Sequence, residues 1–128
     1  MTIQHKNIAE ADLHENKGAS TASANQFLVA DGLGASSFQT KFVLYTIAIT
    51  PALVAANTTA EQTFTLSGLV KTTDTPLVVI KPTAQAGLGI VGWRISADNT
   101  IAITYSNNTA AGITPTAAET YSIFIYRV

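Results

Sequence analysis

From Lys41 onward, Thr, Val, Ile, Tyr and Phe gather in runs of five to nine residues, separated by Gly, Pro, Asn and Asp. β-Branched and aromatic residues fit a pleated surface, and turn formers at this spacing mark strand ends. The pattern predicts strands over Lys41–Thr50, Gln62–Leu66, Leu77–Lys81, Leu88–Ser96, Thr100–Ser106 and Tyr121–Val128. No capped stretch with a 3.6-residue period accompanies them, so helices wrapping a parallel sheet are not expected. The firmest local signal is Asp98-Asn99 between Ile90–Ala97 and Thr100–Tyr105. Two residues tolerant of positive φ between β-rich runs predict a hairpin. The expected fold class is all-β, an antiparallel β-sandwich of jelly-roll or immunoglobulin-like type preceded by an extended N-terminal arm.

Alternation within the strands adds detail. Thr63-Phe-Thr-Leu66 sends apolar side chains to one face and threonines to the other, as a sheet with one wet side requires. Phe42–Ile49, Leu77–Ile80 and Tyr121–Tyr126 are apolar on both faces, so their second face needs a cover. Two covers are open: a loop or the N-terminal segment lying over a central strand, or a subunit interface. For the latter the candidate residues are Phe42, Leu44, Tyr121, Ile123 and Ile125, and self-association is expected.

The segment before Lys41 is different. It holds both histidines, His5 and His14, the charges Lys6, Glu10, Asp12, Glu15, Lys17 and Asp31, and the small-residue run Gly18–Ala24. Such a stretch buries too little apolar surface to offset its ordering entropy, so residues 1–40 read as an arm and residues 41–128 as the β module. Ile8–Glu15 has the makings of two short helical turns, which are marginal alone. Asp31-Gly32 between Phe27–Ala30 and Leu33–Phe38 predicts a small hairpin. The first residues lack a basic stretch followed by an apolar one, so secretory export is not expected. Phe42–Ala56 is broken by Thr46, Thr50 and Pro51, and no transmembrane helix is expected there.

Composition narrows the chemistry. At 128 residues, 12% charged and a formal net charge of −1, the chain matches one domain with an appendage and lacks the basic field of a nucleic-acid binder. With no cysteine, disulfides, thiol nucleophiles and thiolate-bound zinc are all excluded. Gly87-Leu-Gly-Ile-Val-Gly92 matches the dinucleotide fingerprint in letters, but a second β run follows it instead of a helix, so a bulge or close strand approach is expected. His5 and His14 sit among Glu10, Asp12 and Glu15 on the arm, where a preorganised pocket is not expected. Glu61, Asp74, Asp98 and Glu119 each fall in or beside a predicted turn and form no catalytic pair. Trp93 reads as a core anchor before a stacking platform. Asn57-Thr-Thr59 and Asn107-Asn-Thr109 match the glycosylation pattern, which matters only after eukaryotic secretion. No cofactor, metal or turnover is expected.

Asp12-Leu-His-Glu-Asn-Lys-Gly-Ala19, followed by small residues and Phe27-Leu-Val-Ala-Asp-Gly32, resembles an N-terminal segment of structural proteins of tailed bacteriophages. Leu53–Leu69, Pro82, Gly87–Ile90, Arg94–Ile101 and Tyr105–Thr109 are similar to a β-sandwich module recurring in phage head-decoration, head-fibre and tail-appendage proteins. Asn16 stands where that pattern commonly has Pro, and Lys71–Thr75 replaces a Gly-Asp pair after Leu69. The resemblance implies a non-enzymatic virion protein, assembled in the host cytoplasm, that decorates or stabilises the outer capsid surface. It implies docking on the major capsid protein through the arm, with His14, Glu15, Asn16, Lys17, Gly18 and Ala19 at its centre, and a homo-oligomer, expected as a trimer, with no nucleic acid or membrane partner. The alternative it leaves is a receptor- or carbohydrate-binding module of a tail appendage, with Trp93 and the loop tips as contacts.

Overall fold

The structure, a computed structural model, describes residues 22–30, 32–33 and 36–128, and its contacts divide the chain into two units, Met1–Lys41 and Phe42–Val128. In the first unit β1 (Phe27–Ala30) pairs antiparallel with β2 (Ser36–Gln39), placing Ala30 opposite Ser36. Residues 1–21, with the helical turns expected over Ile8–Glu15, lie outside the described residues.

The second unit holds β3 (Phe42–Ile49), β4 (Thr58–Thr65), β5 (Asp74–Ile80), β6 (Leu88–Ala97), β7 (Thr100–Asn107) and β8 (Glu119–Arg127). They form two antiparallel three-stranded sheets, β3-β8-β5 and β4-β7-β6, and no helix occurs among the described residues. The fold is an all-β antiparallel sandwich, as the residue pattern predicts.

The ladder register shows how it is wound. Between the pairs Ile49–Glu119 and Thr58–Asn107 one side advances nine residues (49 to 58) and the other twelve (107 to 119), and the Val54–Ile113 bridge sits in the gap. β3 and β4 are therefore successive parts of one long strand lying against β7 and β8. β5 and β6 repeat this along the opposite edge of β8 and β7. Three long strands thus run side by side and fold once across the middle, turning one sheet into two. Only the β6–β7 turn stays within a sheet; every other connection in this unit crosses over. This is jelly-roll winding with three strands per sheet instead of four, and it differs from the immunoglobulin pattern, whose hairpins repeatedly stay in one sheet.

The fold brings apolar inner faces together. Tyr121, Ile123 and Ile125 of β8 and Ile101, Ile103 and Tyr105 of β7 are fully buried at the centre. Val43, Tyr45 and Ile47 of β3, Phe64 of β4 and Ile90 and Trp93 of β6 pack around them. Three strands start earlier than predicted, β8 by two residues at Glu119 and the others by three or more. β4 begins at Thr58 because its first residues are polar ones on a wet edge. β5 begins at Asp74, a residue that strands disfavour, because Arg127 of β8 lies opposite and pairs with it.

Candidate interaction surfaces

The sandwich has two poles. At the first the chain enters β3, and the β4–β5 loop, the Asp98-Asn99 turn and the end of β8 meet. The loop wraps the turn: Leu66 and Gly68 donate their amides to Asn99, and Asn99 donates its amide to Leu69. Asn99 takes positive φ (57°), and the Asp98 carboxylate accepts the Lys71 amide at 2.8 Å. Beside them Arg127 reaches Asp74 through two bonds of 2.6 Å and also donates to Gly68 O and the Tyr45 hydroxyl. The bidentate guanidinium holds the fully buried Asp74 carboxyl below its ordinary pKa despite the opposing effect of burial.

The opposite pole gathers the loops 50–57, 81–87 and 108–118. Three amide side chains stitch them. Asn107, fully buried, donates to Val54, Ala55 and Ala111 carbonyls and accepts from the Thr109 amide and hydroxyl. Gln62 bonds both backbone groups of Ala52, and Gln85 bonds Thr114 O and Thr116 N. Lys81 pairs with Glu119 at 2.8 Å, and with the Thr83 hydroxyl it lowers the pKa of that carboxyl. Residues 50–57, 82–87 and 108–118 carry no charge. A shallow depression of about 520 Å³ at this pole is lined by Asn57, Thr58, Thr59, Ser106 and Asn108.

The two outer faces contrast. Over β4-β7-β6 the outward residues are mostly polar, Thr63, Thr65, Thr104, Ser96 and the Glu61–Arg94 ion pair, with Val91 exposed at the β6 register shift; the 2.7 Å ion pair spans β7 and keeps Glu61 ionised below its usual range. Over β3-β8-β5 the register sets Leu44, Phe124 and Val78 in one row across the three strands. Phe42 and Tyr126 pair on one side of that row, with ring centroids 5.6 Å apart, and Ile80 lies on the other.

These placements correct some expectations and match others. Tyr121, Ile123 and Ile125, candidates for a subunit interface, are 0% exposed and fill the core instead. β8 presents the opposite parity to the outside, Thr120, Ser122, Phe124 and Tyr126; its polar members Thr120 and Ser122 were the available signal. Phe42 and Leu44 do face outward, and Phe124, Val78 and Ile80 join them. His14, Glu15, Asn16, Lys17, Gly18 and Ala19 lie outside the described residues, as does His5. Trp93 is a core anchor, as its reading from the sequence has it: it packs against the core and donates Nε1–H to Pro76 O at 3.1 Å, joining β6 to β5. Gly87 takes positive φ (78°) in the turn before β6, and Gly92 follows a register shift after Ile90, so the glycine motif serves backbone geometry. Asn107, read only as part of a glycosylation pattern, is a buried loop staple.

Among the described residues no three His, Cys, Asp or Glu side chains gather in a metal-binding cluster. Each carboxylate of the second unit is engaged by a cation or, for Asp98, a backbone amide. The buried hydroxyls of Tyr105 and Tyr121 lie 3.4 Å apart, and burial pushes both above the ordinary tyrosine value. Comparison with protein-family models, curated proteins and solved structures finds no match for this chain.

Proposed function

We propose that this chain is a non-enzymatic structural protein of a tailed-phage virion that decorates or stabilises the outer capsid surface. Residues 1–40 dock on the major capsid protein, and the jelly-roll unit is the outward payload of a homo-oligomer, expected as a trimer. The resemblance of Asp12–Ala19 and Phe27–Gly32 to phage structural proteins supports this. The structural observation that carries it is the division after Lys41: an N-terminal unit separate from a sandwich whose own side-chain carboxylates all serve folding. An N-terminal segment ordered by its target binds weakly alone, and several docked together regain affinity through effective concentration.

The test uses capsids purified from particles lacking the protein. Full-length chain binds them, and chain lacking residues 1–30 stays folded and does not. Equal binding by both refutes the division of labour. The tail-appendage alternative is favoured by the hydroxyl- and amide-lined depression of Asn57, Thr58, Thr59, Ser106 and Asn108. Copy number in purified particles separates the two, since decoration is stoichiometric with the capsid lattice and a tail appendage is not.

A further inference from the structure

We infer that the outer face of the β3-β8-β5 sheet is the surface through which copies of this chain associate, with Leu44, Phe124 and Val78 at its centre. Single exposed apolar residues are ordinary on a protein surface, whereas the largest contiguous apolar patch often marks a functional contact. Here Leu44 and Ile80 are 57% and 54% exposed, and Phe42, Phe124 and Val78 lie between 37% and 40%. Together they form an apolar patch on the order of 400 Å², within the range of patches that mark function. Tyr126, Thr46, Thr75 and Ser122 surround it and extend it toward the ~800 Å² that each partner contributes to a stable interface.

The second sheet serves as an internal control. It has the same strand number and winding, yet its outer face carries threonines, serine and an ion pair, with one exposed apolar side chain, Val91 at the β6 register shift, and no contiguous apolar row. Apolar composition of the chain as a whole therefore does not explain the patch. Edge strands show the same bias. β5 is interrupted by Pro76 and a register shift, β6 by two register shifts, and β4 bears Glu61, whereas β3 pairs regularly over eight residues with no charge, proline or bulge. Such features keep edges from joining other chains, and β3, which borders the apolar face, lacks them. An uncharged apolar face of this size, flanked by an unblunted edge, fits a second copy of itself.

The inference rests on the homo-oligomer in the proposed function and names its surface; capsid docking does not enter it. Because the chain has no cysteine, Thr46→Cys places a single thiol on this face and Thr104→Cys one on the polar face. With the full-length protein at micromolar concentration, a bifunctional maleimide is expected to cross-link the Thr46→Cys protein into covalent dimers and to leave the Thr104→Cys protein without covalent dimers. Sedimentation equilibrium is expected to give an oligomer that persists in 1 M NaCl. Leu44→Asp and Phe124→Asp are expected to weaken it at least a hundredfold while the circular dichroism spectrum is retained. A wild-type monomer overturns the inference, as does a folded Leu44→Asp protein that still associates, or cross-linking through Thr104→Cys alone. If the chain's own N-terminal segment covers this face, the full-length protein is monomeric and removing residues 1–30 speeds maleimide labelling of Thr46→Cys, which also overturns it. Loss of capsid binding by an intact oligomer bears on the proposed function alone.

Discussion

Asn107 is the side chain whose loss should most damage the pole formed by loops 50–57, 81–87 and 108–118. Its amide donates to three carbonyls, at 3.0 Å (Val54), 3.2 Å (Ala55) and 2.8 Å (Ala111), and its oxygen accepts from the Thr109 amide at 2.9 Å. The three carbonyls each keep another donor: Ile113 N, Thr58 Oγ1 and Thr109 Oγ1. Truncation to Ala therefore costs about 1 kcal/mol for each net hydrogen bond lost and about 1–3 kcal/mol for the Thr109 N–H stranded without its acceptor. The total is about 4–6 kcal/mol, a large part of the 5–15 kcal/mol that stabilises a typical domain. Asn107→Asp is the sharper probe. It keeps the acceptor and the shape but turns a carboxylate toward three carbonyl oxygens, so its folded pKa rises above the unfolded value of ~3.9. A group whose pKa is raised by folding destabilises the fold as pH increases, here by up to ~1.4 kcal/mol per pH unit above pH 4 until the folded-state pKa is reached. Urea denaturation of wild type and both variants from pH 4 to pH 7 measures this. A loss below 1 kcal/mol for Asn107→Ala, or a difference between Asn107→Asp and wild type that does not change with pH, would refute the reasoning.

Asp74→Asn breaks the Arg127 fork and should cost about 2–3 kcal/mol at neutral pH, less than for a fully buried pair because Arg127 is 33% exposed. Since Asp74 titrates below its usual value in the fold, its contribution is present above pH ~4 and is lost as pH falls through the folded pKa. The gap between wild type and variant should therefore close in acid, and a gap constant from pH 2 to pH 7 contradicts the assignment. Gly87→Ala meets both positive φ and the Thr109 methyl, and should lower stability by about 1–3 kcal/mol in thermal unfolding, while Gly89→Ala, whose new methyl meets open space at ordinary φ, should change it by less than about 1 kcal/mol. Trp93→Phe leaves Pro76 O without its indole donor and should cost about 1 kcal/mol for that bond, plus lost packing; an unchanged denaturation midpoint would mean that this contact between β6 and β5 contributes nothing.

Strands and the β6–β7 turn were legible because they rest on local chemistry, namely β-branched runs and an Asp-Asn pair between them. Winding was not, because it depends on register between residues far apart in sequence. Phe42 opposite Tyr126 leaves no local trace. For β8 the mistaken parity follows from one cause: Tyr121, Ile123 and Ile125 form the longer apolar series, and a strand apolar on both faces does not say by hydrophobicity which face is inside. Its polar residues do, through Thr120 and Ser122, and the same rule with Thr46 assigns β3 correctly. The loop staples Gln62, Gln85 and Asn107 escaped notice because a buried amide in a turn looks like any other turn residue until the carbonyls it serves are located.

The folded ribbon also fixes an order of assembly. Ile95 and Ile101 pair across six positions (95 to 101), whereas Phe42 and Tyr126 pair across 84 (42 to 126). Short loops close at lower entropic cost, so the β6–β7 hairpin forms early and β3 joins late. During synthesis the delay is longer still, since β3 leaves the ribosome well before β8. The 77 residues between Phe42 and Glu119 take about 4–15 s to make at 5–20 residues per second. For that interval Val43, Leu44, Tyr45 and Ile47 have no sheet to join, and an unblunted apolar strand is open to pairing with its counterpart on a neighbouring nascent chain. Nascent-chain yield should therefore fall with expression rate, and slowing translation before Phe42 should not restore it, whereas faster completion of residues 50–119 should.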